Sequence, residues 1–143
     1  MAQTVLVTGV FDLLHPGHIN LLAEIRVRYP YHLLTVGING DRRAAEIKEL
    51  VFFSAEERKM LLEAIQYVDR VVIFEEDTPE HLIRCLRPSV FVKGSDWSDK
   101  DLPEAGACID VGAMIVFIPA EIDPVSKQKW SSSGLKGKLN VGP

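Results

Sequence analysis

The chain has 143 residues, 47% of them hydrophobic and 25% charged, which is the usage of one ordinary globular unit. A chain of this length buries about two-thirds of its unfolded surface and folds without a disulfide or metal staple, so disorder, collagen-like repeats and small disulfide scaffolds are excluded. Sixteen Lys and Arg against twenty Asp and Glu leave a formal charge of −4, the wrong sign for a generic binder of nucleic acid or of an anionic membrane.

The charge is unevenly placed. Residues 125–143 carry Lys127, Lys129, Lys136 and Lys138 and no carboxylate, which leaves the rest of the chain at −8. We read residues 1–143 as a single domain whose basic C-terminal segment is either a disordered tail or part of an anion site. No apolar run reaches the ~18 residues of a membrane span, and Met1-Ala2-Gln3-Thr4 lacks a signal-sequence pattern. A soluble, cytoplasmic protein is expected. Cys85 and Cys108 have no CxxC spacing and read as reduced packing residues.

In chain order, Thr4 to Val7 is a β-branched, apolar run that reaches a turn at Thr8-Gly9. After His15-Pro16-Gly17-His18, the apolar residues Ile19, Leu22, Ala23 and Ile25 keep helical spacing until Pro30. His32 to Gly37 is a second strand, Asn39-Gly40-Asp41 a turn, and Arg42 to Lys48 a polar crossover. Ser54-Ala55-Glu56-Glu57 predicts a capping box, with Met60, Leu61, Ala64 and Ile65 continuing its helix. Arg70 to Phe74 is a third strand, and Thr78 with Pro79 opens a helix through Leu86. Val90 to Val92 is a fourth strand leading into Lys93-Gly94-Ser95-Asp96, and Met114 to Ile118 is a fifth, stopped by Pro119. A last short helix from Ser131 through Leu139 is expected. Strands alternating with helices predict an α/β fold, a doubly wound parallel sheet of Rossmann-like type, with its ligand site beyond the carboxyl ends of the strands.

The densest chemistry lies between the first strand and the first helix, in Thr8-Gly9-Val10-Phe11-Asp12-Leu13-Leu14-His15-Pro16-Gly17-His18. Gly9 lets the corner form so that the following amides can face an anion. His15 and His18, three apart at a helix entrance, project to one side. Two imidazoles beside free helix amides make a site for phosphate oxygens. The other readings are helix caps, or zinc ligands for which His32 and His81 stand in unrelated segments.

These residues resemble the nucleotidylyltransferase superfamily, whose signature pairs a strand-end Gly-x-Phe-Asp with His-x-Gly-His. The resemblance extends through Glu57-Arg58-Lys59, Tyr67-Val68-Asp69, Phe74 to Pro79 and Val92 to Trp97, and so covers nearly the whole chain. The Phe74 to Pro79 and Val92-Lys93-Gly94 runs are most similar to heptose 1-phosphate adenylyltransferases. Tyr67-Val68-Asp69 and Asp96-Trp97 are similar to glycerol-3-phosphate cytidylyltransferases.

The resemblance implies attack by the oxygen of a sugar or polyol phosphate on the α-phosphorus of ATP or CTP, with Mg2+ on the phosphates as cofactor and pyrophosphate released. In that scheme His15 and His18 donate to triphosphate oxygens, and Gly9 and Gly17 shape the loop in which the amides of Val10 and Phe11 hold the α-phosphate. Ser131, Ser132 and Ser133 match a hydroxyl-rich helix start that binds the β- and γ-phosphates; the arginine that precedes it in cytidylyltransferases is missing, with Lys127 or Lys129 nearest. Gly94 and Asp96 match positions that hold the nucleoside. Arg58 matches an arginine on the acceptor phosphate, Lys48 could serve the same phosphate, and Asp41 either accepts from acceptor hydroxyls or makes its turn. Asp12 reads as orienting the loop. The family habit is a homodimer, which Val51, Phe52 and Phe53 could serve as easily as the core. The preferred reading is ADP-heptose-type synthesis, with cytidylyl transfer to glycerol 3-phosphate as the enzymatic rival and a non-catalytic nucleotide-binding subunit as the other.

Overall fold

Five apolar runs pair into one sheet in the computed structural model of the protein, which describes residues 2–94 and 102–119. They are β1 (Thr4–Gly9), β2 (Leu33–Asn39), β3 (Arg70–Phe74), β4 (Val90–Gly94) and β5 (Met114–Ile118), in the order β3-β2-β1-β4-β5. Every neighbouring pair is parallel, with Val5 opposite both Leu34 and Val90, Val36 opposite Val71, and Val92 opposite Val116. The crossovers carry α1 (Pro16–Arg28), α2 (Asp41–Ile47), α3 (Ala55–Glu63), α4 (Glu80–Leu86) and α5 (Ala105–Val111).

The period-2 alternation of β1 sorts the helices into two layers. Val5 and Val7 pack in one core with Leu22 and Ile25 of α1 and Leu62 of α3. Leu6 packs in the other with Leu82 and Ile83 of α4 and Ala107 and Cys108 of α5. This is the doubly wound arrangement the sequence predicts. The chain steps outward from β1 through β2 to β3, then returns to β4 and β5 on the other side, so the order reverses between β1 and β4. Their carboxyl ends, at Gly9 and Gly94, flank the crevice where such sheets bind ligands.

Several expected boundaries move, each for a local reason. β2 continues past Gly37 to Asn39, so the expected turn is a strand end followed by Gly40, the N-cap of α2. The expected polar crossover is largely that helix, because Arg42, Ala44, Ala45 and Glu46 favour it and Arg42 pairs with Glu46 one turn on. The Ser54 capping box forms: Ser54 Oγ accepts from the Glu57 N–H at 3.2 Å, and the Ser54 N–H donates to Glu57 Oε1 at 3.0 Å. The helix it opens, however, ends at Glu63 and buries Ala55, Arg58 and Leu62, while Met60 and Leu61 are exposed. α4 starts one residue later than expected, with Pro79 as its N-cap.

α5 was not expected at all, since its small residues give a weak apolar signal; Gly112 ends it at φ +75°, a conformation that suits glycine. Cys108 is buried in the second core, and burial followed by the nearby Glu104 pushes its thiol up to about 11. Cys85 is exposed, which corrects its expected packing role. Phe52 is exposed, and Val51 and Phe53 are half-buried. No described helix is long and apolar enough to cross a membrane. The expected helix from Ser131 lies outside the described residues.

Candidate active site

After Gly9 the backbone bends sharply, and both Phe11 (φ +52°) and Leu13 (φ +40°) adopt left-handed conformations. For bulky residues that conformation costs of order 1 kcal/mol or more and persists only where the surroundings enforce it. Gly9 provides the space. A Cβ on it would lie 3.0 Å from Phe11 Cε2, so the missing side chain is what lets the buried Phe11 ring lie back over the strand end.

The two histidines cap α1 and each other. His15 is the N-cap, and its Nδ1 accepts from the Gly17 N–H at 3.1 Å. The Nδ1 of His18 accepts from the His15 N–H at 3.2 Å, which completes a capping box made of imidazoles. The rings stack with centroids 3.7 Å apart, and the Phe11 ring lies 5.2 Å from that of His18. A ring nitrogen that accepts from an N–H carries no proton, so both neutral rings hold theirs on Nε2 and can donate only from there.

The surroundings keep the rings neutral. Burial, then the Lys48 charge, lowers the pKa of His15. His18 falls to about 3, chiefly through burial, then through the charges of His15 and Lys48, against a smaller opposing pull from Asp12. The structure thus brings His15, His18 and Lys48 together, although Lys48 follows a segment with no motif of its own.

One expectation needs correction here. The amides that begin α1 are not free for an anion: that of Gly17 goes to the His15 ring, and those of His18 and Ile19 go to the His15 carbonyl at 2.9 and 3.2 Å. The ring nitrogens that carry a proton at this corner are the two Nε2 atoms, and the Phe11 N–H stands beside them outside the capping bonds of α1.

Behind the corner lies a polar brace. Asp12 is buried, and its carboxylate accepts from the Phe52 N–H at 2.8 Å and the Phe53 N–H at 3.0 Å, which makes it the loop-orienting residue the sequence suggested. Arg58 is 0% exposed. It donates to the carbonyls of Val10 (2.8 Å), Asn39 (2.8 Å) and Phe53 (3.0 Å), and to Asp41 Oδ1 at 3.2 Å. With four of its bonds made inside the protein, Arg58 does not present a fork to an acceptor phosphate, contrary to the family comparison. The signal was in the helical phase: residue 58 follows Ala55 by three and precedes Leu62 by four, so it shares their inward face. Asp41 is mostly exposed on α2, with Oδ1 also accepting from the Ala55 N–H at 2.7 Å.

Across the switch point, Gly94 ends β4 opposite Ile118. Sequence reasoning gave its neighbour Lys93 no role, yet the Lys93 Nζ lies 3.0 Å from Oε1 of Glu104, which is 1% exposed. That pair ties the end of β4 to the start of α5, and the lysine supplies the cation without which the buried carboxylate would be costly. Asp96, Ser131, Ser132, Ser133, Lys127 and Lys129 lie outside the described residues. Among the described residues, no three His, Cys, Asp or Glu side chains could hold a metal ion.

Residues 6–127 match the family model described as cytidylyltransferase-like. The chain is 39% identical over 111 residues to the Bifunctional protein HldE of Streptomyces coelicolor, covering 78% of this chain and 24% of that protein. It is 35% identical over 134 residues to the Bifunctional protein HldE of Caulobacter vibrioides, covering 92% of this chain and 26% of that protein. The chain therefore spans about a quarter of the length of these curated relatives. Among solved structures, a lipopolysaccharide core biosynthesis protein from Thermoplasma volcanium superposes with a TM-score of 0.66 at 23% identity, over 90% of this chain and 98% of that one. Pantothenate synthetase from Thermus thermophilus superposes with a TM-score of 0.62 at 14% identity, over 93% and 61%. Both share the fold.

Proposed function

Because the chain belongs to the cytidylyltransferase-like family, we propose that it transfers a nucleotidyl group from a nucleoside triphosphate to a sugar phosphate, the specific reaction being adenylyl transfer from Mg·ATP to a heptose 1-phosphate. The observation that carries the reading is the pair of neutral Nε2–H donors beside a strand-end glycine corner at the switch point of the sheet. The Phe74 to Pro79 and Val92-Lys93-Gly94 runs support the acceptor, as does similarity to proteins named HldE.

The chemistry asks little of the protein beyond positioning. An oxygen of the acceptor phosphate, already an anion, attacks the α-phosphorus; the bond to the bridging oxygen breaks, and pyrophosphate leaves with the electron pair. No protein base is required, which suits imidazoles as weakly basic as His18. In this reading His15, His18 and the Phe11 N–H stabilise charge as it grows on the triphosphate, and the Lys48 ammonium adds a positive charge beside them. Gly94 and Asp96 serve the nucleoside, Ser131, Ser132 and Ser133 the β- and γ-phosphates, and Asp41 the acceptor hydroxyls. Magnesium arrives with the nucleotide, ligated by phosphate oxygens and water.

A pyrophosphate-release screen crossing the four ribonucleoside triphosphates with phosphorylated sugars and polyols tests the reading. Release from ATP that depends on a heptose 1-phosphate is expected. Equal or greater release from CTP with glycerol 3-phosphate overturns the choice of base and acceptor, and a nucleotide that binds but turns over with no acceptor overturns catalysis.

A further inference from the structure

We infer that Arg58 is a positioning residue of the transfer reaction, which aims the Phe11 N–H at the α-phosphate through its hold on the Val10 carbonyl. The inference rests on the site reading above and adds a residue that never meets substrate. Three observations lead to it.

The first is cost. A guanidinium stays charged at any accessible pH, and burying it completely is unfavourable unless its bonds are made. A residue that merely filled the α3 face, like its neighbours Ala55 and Leu62, would need no charge. Here the charge collects carbonyls from three separate segments, the corner after β1, the end of β2 and the loop before α3, together with the carboxylate of Asp41.

The second is peptide geometry. The described residues contain no cis peptide bonds, and in a trans peptide the C=O and N–H point in opposite directions. The carbonyl of Val10 is drawn inward to Arg58 Nη1 at 2.8 Å. The N–H of that same peptide unit belongs to Phe11 and is therefore turned away from Arg58, on the side opposite the brace. Phe11 holds this orientation at φ +52°, a conformation the chain does not adopt unaided.

The third is polarisation. A peptide whose carbonyl accepts from a cation is a stronger donor at its N–H, because hydrogen bonds in series reinforce one another in a low-dielectric interior. Arg58 thus both aims the Phe11 amide and strengthens it, and the capping box of Ser54 and Glu57 fixes the helical phase that delivers Arg58 to the corner.

The test is calorimetric binding of AMP and of adenosine, alongside steady-state turnover, on the wild-type chain, Arg58→Met, Arg58→Lys and Leu62→Ala. All are compared at a temperature where circular dichroism shows each one folded. Leu62→Ala disturbs the same helix face without touching the Val10 carbonyl. The wild type should bind AMP more tightly than adenosine. Arg58→Met should lose that preference by roughly ten-fold or more, the scale of one charge-assisted hydrogen bond, and Arg58→Lys should fall between. Turnover of Arg58→Met should drop through kcat, with the acceptor KM unchanged, while Leu62→Ala keeps both the preference and kcat.

Retention of the AMP preference by Arg58→Met overturns the proposal, as does equal loss in Leu62→Ala. A raised acceptor KM at unchanged kcat overturns it in favour of direct acceptor contact. Absence of the preference in the wild type is a different result, because it removes the phosphate site itself.

Discussion

A backbone amide that donates to an imidazole nitrogen fixes where that ring keeps its proton, and this governs how His15 and His18 behave in solution. An asparagine at position 18 can offer its side-chain oxygen to the His15 N–H in place of Nδ1 but has nothing at Nε2. His18→Asn should therefore melt near the wild type while its pyrophosphate release falls by ~10²- to 10³-fold, the scale of one preorganised oxyanion donor. Melting curves and initial rates on the same sample check both halves. Acid stability follows from the same rings. The unfolded chain takes up protons on them below the ordinary 6.5, whereas folded His18 resists until about 3. The His18 contribution to stability is complete above pH 6.5 and is lost progressively as the pH falls from there towards 3, with a slope of at most about 1.4 kcal/mol per pH unit, and the lowered pKa of His15 acts in the same direction. Urea midpoints at pH 7 and pH 5.5 should thus differ more for the wild type than for His18→Asn. At this scale Asp12 was legible, because a lone carboxylate beside a strained corner has backbone amides to satisfy. Arg58 was not, because its type suggests solvent and only its helical phase indicates burial.

Among the elements, the β1–α1 corner depends on a single absent side chain. Gly9→Ala places a Cβ 3.0 Å from the Phe11 ring, which is buried and has little room to yield. The cost should be about 1–3 kcal/mol by urea titration, accompanied by weaker nucleotide binding as the corner shifts. The periodic elements were legible in the sequence: β3 and β5 have strong β-branched or apolar runs with clear stops, and the Ser54 capping box marked the start of α3 to the residue. α2 and α5 were hidden. Each is seven residues long with no side-chain cap bond, too short to stand alone, so tertiary packing has to complete what local propensity favours in α2 and hardly signals in α5. The amides that begin α1 are taken up by the His15 ring and carbonyl, the capping alternative that the sequence left open.

Across the whole molecule, the proposed site lies at one pole of the sheet and a structural clamp at the other. Arg26 joins the carbonyls of His32 and Tyr67 and the carboxylate of Asp69, at 2.8, 2.8 and 2.6 Å, where β2 and β3 begin. Asp69 in turn accepts from the Leu34 N–H at 2.8 Å, so the Tyr67-Val68-Asp69 run is held as part of the clamp. Arg26→Met should cost about 1–3 kcal/mol of stability and leave kcat and KM within about two-fold, as measured by thermal melts and pyrophosphate release. The doubly wound parallel sheet followed from strand–helix alternation and the handedness rule, but the strand order, and the proximity of Lys48 to His15 and His18, required the fold itself. The most direct measurement of the central claim is a 15N-histidine NMR titration of the intact chain with Mg·ATP. Saturating nucleotide should shift the Nε2–H signals of His15 and His18 and protect them from exchange, with His32 and His81 unmoved. If His15 and His18 stay unchanged while nucleotide binds, the triphosphate lies elsewhere.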